Sequence, residues 1–243
     1  MQSYTQHYLY IQAALAAHEQ SFVGVEARMD AFQPLPLAAF EHDRQRMWQQ
    51  MRPINNNMSD EDLWRYIDSE ISDSRSAEMQ YLSAFLEPFA TEAISITILA
   101  HALAEATINA ALAIGLEHVG KTALFHVLEK ANVKHKWSAG PQAFLPSYTL
   151  RSSDPLYGGL STLCRRRNAH VHSKITLRDE SNDIVLAGST GRGMSIDAES
   201  RRLMHRFLRL PYDLHQHLVN QIDDDTLHFK IEHLLRSDRR PLL

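Results

Sequence analysis

Leu163-Cys164-Arg165-Arg166-Arg167-Asn168-Ala169-His170-Val171-His172-Ser173-Lys174 closes a segment, beginning at Asp154, that reads as a helix with Asp154 as N-cap and Pro155 in the first turn. Three arginines, an asparagine and two histidines fall within eight residues of it. If the helix runs on, Leu160, Cys164, Arg167 and Val171 recur at spacings of four, three and four. Arg167 then lies on the core-facing stripe, with Asn168 and His172 projecting together beside it. An unpaired guanidinium on an apolar stripe is very costly, so Arg167 calls for an anionic or hydrogen-bonding partner elsewhere in the chain.

A second polar line points to that partner. Between Thr91 and Leu116 the chain is largely apolar and has no Lys or Arg, yet Thr97, His101, Glu105 and Asn109 recur every four residues. A solvent-facing stripe ordinarily carries lysine, arginine and several glutamates, so a buried or functional network stands against that bland alternative. Glu105 is the preferred partner for Arg167. A carboxylate near the centre of a membrane span costs about 3 kcal/mol, which favours a buried helix of a soluble protein over a span here.

Arginine, asparagine and histidine together suit phosphodiester chemistry without a metal. The guanidinium grips a phosphate through two parallel hydrogen bonds, the amide orients it, and the imidazole moves protons near neutral pH. Arg167-Asn168-x-x-x-His172 resembles the R-N-x-x-x-H signature of HEPN domains, helical modules of which many are metal-independent RNases of prokaryotic defence and toxin systems. The surrounding order is similar too: a hydrophobic helix with an internal Glu105-x-x-x-Asn109, a short helix ending near Lys134-His135-Lys136-Trp137, then the motif helix, over about residues 78 to 178. Residues 1 to 75 carry no such resemblance.

The resemblance implies an all-α, HEPN-like helical bundle, to which the chain's own pattern adds extra N-terminal helices and a small extended excursion after the motif helix. It implies cleavage of single-stranded RNA by transesterification, with Arg167, Asn168 and His172 as catalytic residues and Glu105, Asn109 and His101 in support. Arg165, Arg166, His170 and Lys174 are candidate RNA contacts, with an ordinary solvated helix face as the alternative for the two arginines. Because the reaction needs both a base and an acid, a homodimer that brings two copies of His172 to one cleft is implied. An antitoxin or other protein partner fits the same setting. A HEPN-like module that binds RNA, nucleotide or a protein without cutting is the rival from another class. An unrelated helical interaction protein is a third reading.

Bulk composition limits these readings. A formal charge of −4 argues against a broad basic coat, so any RNA contact must be local. A single cysteine, Cys164, excludes an internal disulfide and fits a reducing compartment. Its place on the apolar stripe makes a buried hydrophobe its default role rather than a nucleophile. The first residues lack a secretory pattern, and the expected location is cytoplasmic, with no membrane contact. His170-x-His172 and His215-x-His217 point to different helix faces, and no H-E-x-x-H occurs, so neither metal nor cofactor is expected.

Along the rest of the chain, helices are expected over Thr5–Phe32, Leu37–Met51 and, started by the capping box Ser59-Asp60-Glu61-Asp62, Glu61–Ser72. Ser76–Leu116 should break or kink at Pro88. Lys121–Ala131 reads as a short helix and Asn132–Leu150 as a connection over the surface. Ile175–Leu177 and Ile184–Leu186 suggest a small hairpin. The run Gly188 to Gly193 lacks the pattern of a phosphate-binding loop. Ser195–Leu208 is a helix capped by Ser195 and stopped before Pro211, followed by helices over Tyr212–Ile222 and Leu227–Leu235. Arg236, Arg239 and Arg240 read as solvated. The domain division is expected near residue 75, with 1–75 an N-terminal extension and 76–243 the HEPN-like domain with a helical tail.

Overall fold

The computed structural model describes residues 2–171, 175–177, 184–186 and 196–235. The class is all-α. In chain order the helices are α1 (Gln2–Asp30), α2 (Glu41–Met51), α3 (Asp60–Ser74), α4 (Ala77–His118), α5 (Phe125–Leu128), α6 (Val133–Ser138), α7 (Pro155–Val171), α8 (Ala198–Val219) and α9 (Asp225–Glu232). Between α7 and α8, β1 (Ile175–Leu177) and β2 (Ile184–Leu186) pair antiparallel, Ile175 opposite Leu186, as the small hairpin expected there.

The chain divides into two compact units, residues 23–90 and residues 1–22 with 91–243. The break therefore does not fall once near residue 75, because α1 and α4 each contribute residues to both units. The unit of residues 23–90 forms around the capping box: Ser59 Oγ accepts from the Asp62 amide at 3.1 Å and donates to its carboxylate at 2.6 Å. Leu63, Ile67 and Ile71, spaced by four, then bury together, with Phe40, Met47, Trp48, Met51 and Trp64 packed around them. The Trp48 and Trp64 rings stack 4.2 Å apart at 4°, and the Arg44 guanidinium lies 4.5 Å from the Trp64 ring centre.

In the other unit, the first part of α1 lies antiparallel to α4: the Tyr8 hydroxyl donates to the Ala106 carbonyl, and His18 and Ser21 each meet Glu92 at 2.7 Å. Tyr8, Leu15 and Phe22 are buried on this face. Helix α7 packs on both α6 and α8, and α8 on α9. Gly159 permits the close approach of α7 and α8, since a β-carbon there would meet Leu210 at 3.1 Å and Arg206 at 3.2 Å. Among the described residues α4 is the one helix long and apolar enough to cross a membrane, and 56% of its most apolar window is buried within the structure.

Neither proline ends its helix. Pro88 lies inside α4 and Pro211 inside α8, so the single helix Ala198–Val219 replaces the two expected. Each proline forfeits one backbone hydrogen bond, but Leu210, Pro211, Tyr212 and Leu214 are all buried, and apolar burial through that turn offsets the loss. The α8 cap is Asp197, whose carboxylate accepts from the Ser200 amide at 2.8 Å. Ser195, Gly188 to Gly193, Arg236, Arg239 and Arg240 lie outside the described residues.

Residues 132–150 are not a surface connection. Asn132 caps α6, and Val133, Lys136, Trp137, Gly140, Pro141, Phe144, Tyr148 and Leu150 are buried. The Trp137 indole donates to the Ala104 carbonyl at 3.1 Å, fastening α6 to α4. Further along α4, Gly115 faces Phe144, whose ring would lie 2.4 Å from an added β-carbon. Alanine normally favours a helix over glycine by about 1 kcal/mol. Here the sign inverts: Gly115→Ala destabilises by about 1–3 kcal/mol in denaturant unfolding, through overpacking against Phe144. Unchanged or raised stability would contradict this packing.

Candidate functional site

Along the polar line of α4, Thr97 and His101 are buried and Glu105 and Asn109 are half-buried. Thr97 is buried and returns its hydroxyl to the Ala93 carbonyl at 2.7 Å. His101 is 9% exposed. Glu105 is 39% exposed and takes the ammonium of Lys136 at 3.0 Å, a lysine whose side chain is only 1% exposed. The Asn109 carbonyl oxygen is buried with no hydrogen-bond partner. Glu105 therefore serves α6, not Arg167 as the sequence led us to expect. Both are described residues, and no ion pair joins them.

Helix α7 supplies the rest of the cluster. Leu160, Leu163 and Cys164 are buried, Arg167 is half-buried, and Val171 is 47% exposed. The predicted stripe thus leaves the core along the last turns of the helix. Arg167 Nη1 donates to the Asn168 side-chain oxygen at 3.2 Å, with Asn168 exposed. That amide is its one hydrogen-bond partner among the described residues. Arg165 and Arg166 are exposed and His170 is half-buried. His172 and Lys174 lie outside the described residues.

The charges interact although the groups come from three helices. Burial holds the His101 imidazole below the ordinary histidine value. The Arg167 and Lys136 charges push it the same way, against the opposing pull of Glu105. Burial likewise raises the Cys164 thiol, with Glu105 adding to the rise and Lys134 and Arg167 opposing it, so Cys164 is a poor thiolate. His170 is lowered by burial and by Arg166. Around His101 and Cys164 act one carboxylate, Glu105, and three cations, Lys134, Lys136 and Arg167. Burial and the nearby cations favour the neutral form of His101.

Lys136 was not singled out from sequence. Its signal was the spacing Val133, Lys136, Trp137, which sets the lysine on the same helical face as two apolar residues, and all three are buried. Gln12 gave no signal at all: it is wholly buried in α1 with neither amide atom hydrogen-bonded. The antiparallel contacts of α1 set it level with the α4 turn that carries His101.

Compared with family models, curated proteins and solved structures, the chain matches none.

Two outcomes follow from these surroundings. A lowered His101 means that the folded state resists protonation. The stability it contributes is therefore complete above the ordinary value of about 6.5 and is lost as pH falls through that value towards the folded one. His101→Gln should accordingly reduce the fall in Tm between about pH 7.5 and about pH 5, and an undiminished fall would contradict the assignment. Glu105→Ala leaves Lys136 buried and unpaired, so it should lower Tm by more than Arg165→Ala, a change on an exposed face. An equal or reversed order in thermal unfolding would contradict the Lys136 pairing.

Proposed function

We propose that the chain is a HEPN-type endoribonuclease that cleaves single-stranded RNA without a metal ion, in a composite cleft between two copies. The observation that carries this reading is the state of Arg167: half-buried, held by Asn168, and without a carboxylate partner among the described residues. A guanidinium left uncompensated beside an amide is suited to the two non-bridging oxygens of a phosphodiester. Exposed Arg165 and Arg166 add positive charge to the same helix, which suits local contact with RNA by a chain of net negative charge.

In this reading a ribose 2′-oxygen attacks the adjacent phosphorus as one His172 takes its proton. The P–O5′ bond breaks, and the second His172 protonates the departing 5′-oxygen. The products are a 2′,3′-cyclic phosphate and a 5′-hydroxyl. Arg167 neutralises charge on the phosphorane, and Asn168 holds the guanidinium in place. His101 and Asn109 on α4 would act in support, and the Arg167 charge acts on His101. An antitoxin or other protein partner would act by covering the α7 face.

His172→Ala is expected to abolish cleavage of single-stranded RNA while leaving the far-UV spectrum and oligomeric mass unchanged, and wild-type cleavage is expected to persist in EDTA. Wild-type rates in the variant would overturn the role of His172. Binding of RNA, nucleotide or a protein by a wild-type chain that does not cut would favour the non-catalytic module instead.

A further inference from the structure

Residues 117–130, from the last turn of α4 through α5, contain no buried side chain although they include Val119, Leu124, Phe125, Val127 and Leu128. Val127 is 70% exposed, Leu124 44% and Val119 37%, while Phe125 and Leu128 are half-buried. The backbone nevertheless fixes the course of the segment. Gly120, at φ +70°, ends α4; the Lys121 amide bonds back to the Leu116 carbonyl at 2.8 Å and the Gly120 amide to the Glu117 carbonyl at 3.1 Å. A 3-10 turn (Thr122–Leu124) runs straight into α5, so Leu124 and Val127, three residues apart, project on one side. A helical piece this short is marginal unless it buries an apolar face, and here that face meets water.

Four charged side chains lie along the same segment, Glu117 and Glu129 against Lys121 and Lys130. None makes an ion pair with a described residue, and Lys121 donates to the Ala143 carbonyl at 3.2 Å. An apolar centre beside equal numbers of unpaired acids and bases is self-complementary. A two-fold axis sets such a patch against itself, burying the apolar groups while each sign of charge finds the other. The two carboxylates count against an anionic bilayer surface as the cover.

We propose that residues 117–130 form a contact between two copies of this chain, with Leu124 and Val127 at its centre and the four charges at its rim. The patch stands on its own chemistry and does not depend on the nuclease reading, which also calls for two copies.

The test is sedimentation velocity of the full chain at about 1 to 100 μM, with Tm as a check that each variant folds. Wild type is expected to sediment as a dimer, and Val127→Asp, a change at a side chain already in water, as a monomer of unchanged Tm. Lys130→Glu leaves three acids and one base at the rim, and Glu129→Lys the reverse. Each variant alone should dimerise about fivefold more weakly, and an equimolar mixture of the two should recover to within about twofold of wild type.

A wild type that stays monomeric overturns the proposal. A dimer that survives Val127→Asp overturns it too, and cleavage of RNA by that dimer would leave the nuclease reading intact. Charge variants that mixing does not rescue overturn it as well, because the rim is then not opposed to its own copy. A Val127→Asp monomer, obtained from a dimeric wild type that does not cleave RNA, upholds this contact and removes the nuclease reading instead.

Discussion

A lysine ammonium shut away from water has few ways to persist, and the pairing of Lys136 with Glu105 is the constraint on which the centre of this protein depends. Desolvating the ammonium costs several kcal/mol, and in the fold only a nearby carboxylate offsets that cost. The pair joins α6 to α4, and the Trp137 indole makes a second bond between the same two helices. Helix α7, which carries Arg167, packs on α6. With Glu105 taken by Lys136, the Arg167 guanidinium keeps the Asn168 side chain as its hydrogen-bond partner among the described residues.

Much of the helical order was legible because its causes are local. The Ser59 cap and the four-residue spacing of Leu63, Ile67 and Ile71 determine α3 within one short stretch, and the structure places all three side chains in a core. The hairpin of β1 and β2 and the helix carrying Arg167 were legible for the same reason, and so was the polar line of Thr97, His101, Glu105 and Asn109 as something other than a solvent face.

What escaped the sequence depends on distant packing. Pro211 is a local signal to stop, and burial along α8 overrides it, while Pro88 lies inside a continuous α4. Residues 132–150, with Gly140, Pro141 and Pro146, looked like a surface connection because the burial of Trp137, Phe144 and Tyr148 depends on other parts of the chain. The partner of Glu105 was misread because a carboxylate thirty-one residues before a lysine carries no periodic mark. A lysine also reads as solvated until the apolar residues sharing its face are counted.

The chain has three tryptophans, and the fold distributes them unequally: Trp48 and Trp64 belong to the unit of residues 23–90, and Trp137 to the other. Two parallel indoles 4.2 Å apart couple their electronic transitions, whereas the solitary indole of Trp137 sits in a dry pocket with its N–H on a carbonyl. The two units therefore carry optically distinct native fluorophores. An exciton band in circular dichroism reports the smaller one and blue-shifted emission the larger, so melting of each can be followed in an unlabelled sample.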